Sequence, residues 1–264
     1  MKIAGANLEE HEVEFKNLID YAEPNTKFYD VMEYLQNLYY DCCDRASEIK
    51  VNMIPTDGDK VLIEPLMINH RCRDDINMLE CISKYGVIAT EWFGVLESEG
   101  EGRFCTFVDR IKPDSYTFTL HENFRRLNDK SENVILFFDE NNDIMKKLLH
   151  LDYFEFEKIK KTEPDKINEL YTPEEITLLG DVIESFSPAG KDFHDIENRP
   201  YYYWSAIPGG IPSLLVNGIC VKSNEHSDEY LDRLVELFPN ATIFDGMLNI
   251  VRKAKNNSDD VHIK

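Results

Sequence analysis

Apolar side chains recur at three- and four-residue spacing over residues 28–40 (FYDVMEYLQNLYY), the period of an amphipathic helix whose aromatic stripe packs on a core. The PTDGD turn at 55–59 precedes Val61, Leu62 and Ile63, which read as a short buried strand. A second helix is predicted from Asp74 or Asp75, either of which can cap its first amides, through Ile76, Leu79 and Ile82 to Gly86. Val87, Ile88 and Ala89 then return to extended chain. Residues 104–108 and 116–120 have strand composition, and the VILFF run at 134–138 is the clearest buried strand, halted by DENN at 139–142. The ESEGEG stretch at 97–102 reads as an acidic loop.

From 143 to 190 the pattern is helical and highly charged. Thr172, Pro173, Glu174 and Glu175 form a helix start, with a capping hydroxyl, proline in the first turn and acids against the helix dipole. Strand pieces follow at 214–216 and 218–221, then a charged helix at 228–238 and a strand at 241–244. The chain after Lys253 is polar. Three regions are therefore expected: a helical extension over 1–50, an α/β domain over 51–253 and a polar tail over 254–264.

Charge changes the picture. The 264 residues carry 29 basic and 50 acidic side chains, a net charge of −21. Residues 127–200 hold 18 acids against 9 bases, and residues 1–60 hold 13 against 6. An extended nucleic-acid face needs clustered Lys and Arg, so it is not expected. A basic protein partner is compatible with such a field. No apolar run approaches a membrane span and no apolar leader opens the chain, so a cytoplasmic location is expected. Six cysteines, Cys42, Cys43, Cys72, Cys81, Cys105 and Cys220, form no CxxC pair and read as reduced, mostly buried thiols.

The usual chemical fingerprints are absent: no Walker loop, GxGxxG, GxSxG or HExxH occurs. No two histidines stand four residues apart, and no metal site is expected. The IPGGIP segment at 207–212 reads as a rigid turn between buried segments. His11, His121, His150, His194, His226 and His262 read as ordinary polar residues. His70 differs, because it follows an apolar strand and precedes a helix and a further strand, a placement that suits a cleft. The YYYW cluster at 201–204 is either a hydrophobic strand or a platform on which a flat ring stacks.

Three ordered segments carry a resemblance. They are His70-Arg71-Cys72 with Asn77, Leu79, Ile82 and Gly86-Val87, then VILFFDENNDIM at 134–145, then IPGGIPSLLVNGICV at 207–221. Together they resemble ADP-ribosyltransferases of the DarT type over about 150 residues. The resemblance implies an α/β (α+β) fold with a compact split antiparallel sheet and flanking helices, and NAD as cofactor. It would set NAD against His70, with Cys72 near the ribose, Asn77 bracing the cleft and Arg103 or Arg110 holding the diphosphate. Trp204 stands in the register of the family's catalytic glutamate, and Glu197, seven residues earlier, is the acid that could replace it. Cysteine also stands at 72 where the family has threonine. Two functions follow as expectations: transfer of ADP-ribose from NAD to a macromolecule, or a non-catalytic acidic protein that binds a basic partner.

Overall fold

The computed structural model describes residues 50–63, 67–88, 105–111, 133–183, 202–208, 210–222 and 226–255. The expected helix at 28–40, the strand at 116–120, the acidic loop at 97–102 and the terminal tail from 256 lie outside them.

The chain enters with a small hairpin, β1 (Thr56–Asp57) and β2 (Lys60–Val61), turned at Gly58, whose φ of 59° suits a residue without a Cβ. Strand β3 (Ile68–Arg73) leads into helix α1 (Ile76–Tyr85). Of the two candidate caps it is Asp75 that accepts the Asn77 N–H, and Gly86 ends the helix at φ 83°. Strands β4 (Val87–Ile88) and β5 (Cys105–Ile111) follow, then β6 (Asn133–Phe138). The acidic region is helical as expected: α2 (Asp143–His150), α3 (Tyr153–Thr162), α4 (Ile167–Leu170), α5 (Pro173–Ile176) and a π-helical stretch, Thr177–Ile183. The Thr172 capping box forms with Glu175, both hydrogen bonds being made. Strands β7 (Tyr202–Pro208), β8 (Gly210–Ile211) and β9 (Val216–Val221), helix α6 (Asp228–Leu237), and strands β10 (Thr242–Asp245) and β11 (Ile250–Arg252) complete the described chain.

Seven strands form one continuous sheet in the order β11-β10-β9-β6-β3-β5-β7. The fold is α/β, but this sheet is mixed, which corrects the split antiparallel sheet expected above. The reason is local: β9, α6 and β10 make a strand–helix–strand crossover, and such a connection sets its two strands parallel. Because β6 runs antiparallel to both β3 and β9, strands β3, β9 and β10 point the same way and end on one edge of the sheet.

Strict alternation divides β6 between two cores. Val134, Leu136 and Phe138 face the helix-covered core with Ile68, Leu79, Met145, Ile219 and Leu234. Ile135 and Phe137 face a smaller cluster with Ile54, Val61, Cys220 and Phe244. The run is buried on both faces, which is why it reads as unbroken apolar sequence. Of the expected strand at 61–63, Val61 and Ile63 are buried while Leu62 is exposed, and only Lys60–Val61 is paired as strand.

Strand β9 contains an irregularity. Phe137 opposes Gly218 and Phe138 opposes Val216, so Asn217 is an extra residue in a β-bulge. The shift is visible in the packing: Val216, Ile219 and Val221 all reach the helix-covered core despite their odd spacing.

Helices α1 and α6 lie side by side in the same direction. They are joined near their starts by Tyr230 and Asp74, midway by Arg233 Nη2 to Glu80 at 2.8 Å, and near their ends by Ser83 Oγ donating to Leu237 O at 2.9 Å. Two helix N-termini therefore meet above the edge where β3 and β9 end.

Candidate functional site

This meeting point gathers the titratable side chains. Asp75 is consumed by capping α1, which leaves Asp74 free to turn toward α6. The Tyr230 hydroxyl donates to Asp74 Oδ1, and His226 Nε2 lies 2.8 Å from Asp74 Oδ2, close enough for charge attraction but without hydrogen-bonding alignment. The His226 ring stacks on Tyr230 with centroids 4.5 Å apart and planes at 16°. Stacking and carboxylate together fix the imidazole from two sides. The side chains of Asp74 and His226 are only 5% and 14% exposed, so the pair sits in a partly dry environment.

The electrostatics assign each group a form. Burial, then the hydrogen bond to Asp74 and its negative charge, push the Tyr230 phenol well above its ordinary 10.0. Tyr230 therefore remains a donor. Burial, assisted by Asp74, likewise pushes the Cys72 thiol well above its ordinary 9.0. Cys72 is a protonated thiol here, unsuited to nucleophilic work.

The structure sorts the sequence-predicted residues. His70 and Cys72 occupy alternate positions of β3, half-buried, on the strand that delivers Asp74. His70 sits in the middle of that strand, opposite Leu136, and not at its end as expected. Asn77 is exposed in the first turn of α1, its backbone N–H committed to Asp75. Position 110 pairs with Ile68 and Tyr203 across the sheet. Position 204 pairs with Asp109, which pairs with Asn69, so it falls in the row alternate to His70. The strand register sets positions 70 and 204 in alternate rows of the sheet. Arg103 and Glu197 lie outside the described residues.

Sequence reasoning missed Asp74, His226 and Tyr230. The only local signal was the Asp-Asp pair at 74–75, of which a helix start needs one for its cap. His226 stands just before the Ser227 cap of α6, as Asp74 stands just before the Asp75 cap of α1.

No family model, no curated protein and no solved structure matches the chain. Among the described residues no helix is long and apolar enough to cross a membrane.

Proposed function

We propose that the chain binds a nucleotide-type ligand, with NAD the first candidate, over the edge where β3 and β9 end, and that His226 handles a proton there. The observation that carries this reading is the Asp74–His226–Tyr230 constellation. Its location supports it as well: α/β sheets receive ligands beyond the carboxyl ends of same-direction strands, where helix N-termini favour phosphate. The strand that supplies Asp74 is also the one bearing His70 and Cys72 of the ADP-ribosyltransferase-like motif, with Asn77 in the helix that follows. In the reaction this implies, an acceptor oxygen attacks the ribose carbon as the bond to nicotinamide breaks. Nicotinamide leaves with the bonding electron pair, and the proton of the acceptor passes to His226.

The test is a thermal-shift titration of the purified full chain with NAD, ADP-ribose, ATP and adenosine, alongside an assay for nicotinamide release. Saturable stabilisation by NAD or ADP-ribose is expected, together with release that His226→Gln lowers at least tenfold while binding persists. Absence of both stabilisation and release overturns the proposal.

A second reading, an acidic protein that binds a basic partner without catalysis, draws on how the described cations are used. Arg233 is paired with Glu80 and Glu236, and Arg252 with Asp228 and Asp232, so these cations are screened by the chain's own acids. The outward field is left to the surplus carboxylates. A pull-down whose basic partner is lost between 50 and ~500 mM salt supports this reading. Retention at high salt, or no partner, counts against it.

A further inference from the structure

The imidazole of His226 has two nitrogens, and their surroundings differ. Nε2 is buried and lies 2.8 Å from Asp74 Oδ2. The carboxylate divides its oxygens: Oδ1 accepts the Tyr230 hydroxyl and Oδ2 meets the imidazole. Stacking on Tyr230, with centroids 4.5 Å apart and planes at 16°, holds the ring plane in place. A half-turn of the ring would keep that stack but set a carbon, not a nitrogen, against the carboxylate. Nδ1 makes no hydrogen bond among the described residues and is not buried as Nε2 is.

A bare ring nitrogen is an acceptor. At 2.8 Å from a carboxylate oxygen it would set two lone pairs together in a partly dry environment, which is costly. The nearby donor that could relieve the contact, the Tyr230 hydroxyl, is committed to Asp74. A hydrogen on Nε2 turns the same contact into an attraction, in the neutral ring as in the imidazolium. Because the contact lacks hydrogen-bonding alignment, the attraction is that of the carboxylate charge for the N–H dipole.

We infer that Asp74 is a positioning residue, which holds His226 as the Nε2–H tautomer and so makes Nδ1 the nitrogen that takes up a proton. The inference rests on the reading that His226 handles a proton at the β3–β9 edge. In that reaction a lone pair of the acceptor oxygen forms the bond to the ribose carbon, and nicotinamide leaves with the pair of the bond that breaks. The acceptor's proton joins the Nδ1 lone pair. The imidazolium keeps its other N–H toward Asp74, whose charge offsets the new positive charge without receiving the proton.

The test is 15N NMR of the full chain labelled at histidine, which reads each ring nitrogen as bare or hydrogen-bearing; His226→Gln identifies the signals of this ring among the seven histidines. With the ring neutral, Nε2 is expected to read as hydrogen-bearing and Nδ1 as bare. On acidification Nδ1 alone should move across the full range between the two. In Asp74→Asn, whose amide can turn an N–H toward the ring, the two nitrogens are expected to read as a mixture of tautomers, whereas Tyr230→Phe, which keeps the carboxylate, retains the assignment. Where nicotinamide is released, Asp74→Asn should lower kcat by ~100-fold or more and change KM by less than about threefold. An Nε2 that reads as bare or mixed in the unaltered chain overturns the inference, as does an Asp74→Asn protein with the tautomer unchanged. If that variant does not fold, the unaltered chain decides alone. The measurement needs no ligand, so a chain that neither binds NAD nor releases nicotinamide refutes the proposed function while the ring nitrogens are still assigned.

Discussion

The two polar edges of the sheet are built from similar parts and differ in what surrounds the aspartate. At the β3–β9 edge Asp74 meets a phenol and an imidazole, groups that carry or exchange protons. At the β6–β9 edge Asp139 meets only amide N–H groups. The first aspartate joins two helices through their side chains. The second ties residues 50–52 to the sheet, helped by Asn142 Nδ2 donating to Lys50 O and Asn217 Nδ2 to Asn52 O. A carboxylate shared by a phenol and an imidazole links two helices, whereas one among amides clamps a segment in place.

The comparison breaks most readily by removing the clamp. Asp139→Ala removes a buried carboxylate that accepts three hydrogen bonds from the exposed residues Asn52 and Asn141, and is expected to cost about 2 kcal/mol in urea unfolding, the largest effect of any change at either edge. A cost no greater than that of Tyr230→Phe would erase the distinction.

Alkaline unfolding sharpens it. Cys72, Tyr230 and buried Cys220 are raised above their ordinary values chiefly by burial, and the same cause pushes Tyr171 up to about 12. Each keeps its proton when folded and loses it when unfolded. Their contribution is therefore complete below pH ~9, and its loss starts near 9 for the thiols and near 10 for the phenols and continues up to their raised folded values, by at most ~1.4 kcal/mol per pH unit for each group. Urea midpoints measured from pH 8 to 11 should fall accordingly. Tyr230→Phe and Cys72→Ala should make the decline shallower, and Asn217→Leu should leave its slope unchanged.

The smallest effect is that of Tyr230→Phe at neutral pH. It removes one hydrogen bond from a partly buried carboxylate, an expected loss of about 1 kcal/mol. Nicotinamide release, if measured, should fall more than stability does, because the ring that positions His226 has lost its tie to Asp74.

Much of the fold could be read from residue patterns because its signals are local. The VILFF run, the Asp75 and Gly86 boundaries of α1, the Thr172 capping box and the strand–helix–strand order from 216 to 245 each lie within one stretch of chain. Of the two strand pieces read at 214–216 and 218–221, the second lies within β9, whereas Ser213–Leu215 form a 3-10 turn and the strand starts only at Val216. The sheet's order was not legible, since a seven-strand pairing is set by contacts between distant segments. The Asp74–His226 pair was hidden for the same reason: its members are 152 residues apart, and a lone histidine carries no spacing to betray a partner. Asn217 gave no sign either, because an amide inside an apolar run reads as a flaw until its register is known.

One oxygen at the far border of the sheet has a consequence of another kind. Asp152 Oδ1 accepts both the Phe154 N–H at the start of α3 and the Ala206 N–H of β7, the last strand in the sheet's order. A bare outermost rung invites a second chain to add itself as a further strand. Here that rung is occupied by the group that starts a helix, so fraying of the helix and exposure of the rung become a single event. At this rung, addition of a further strand is blocked for as long as α3 keeps its first turn.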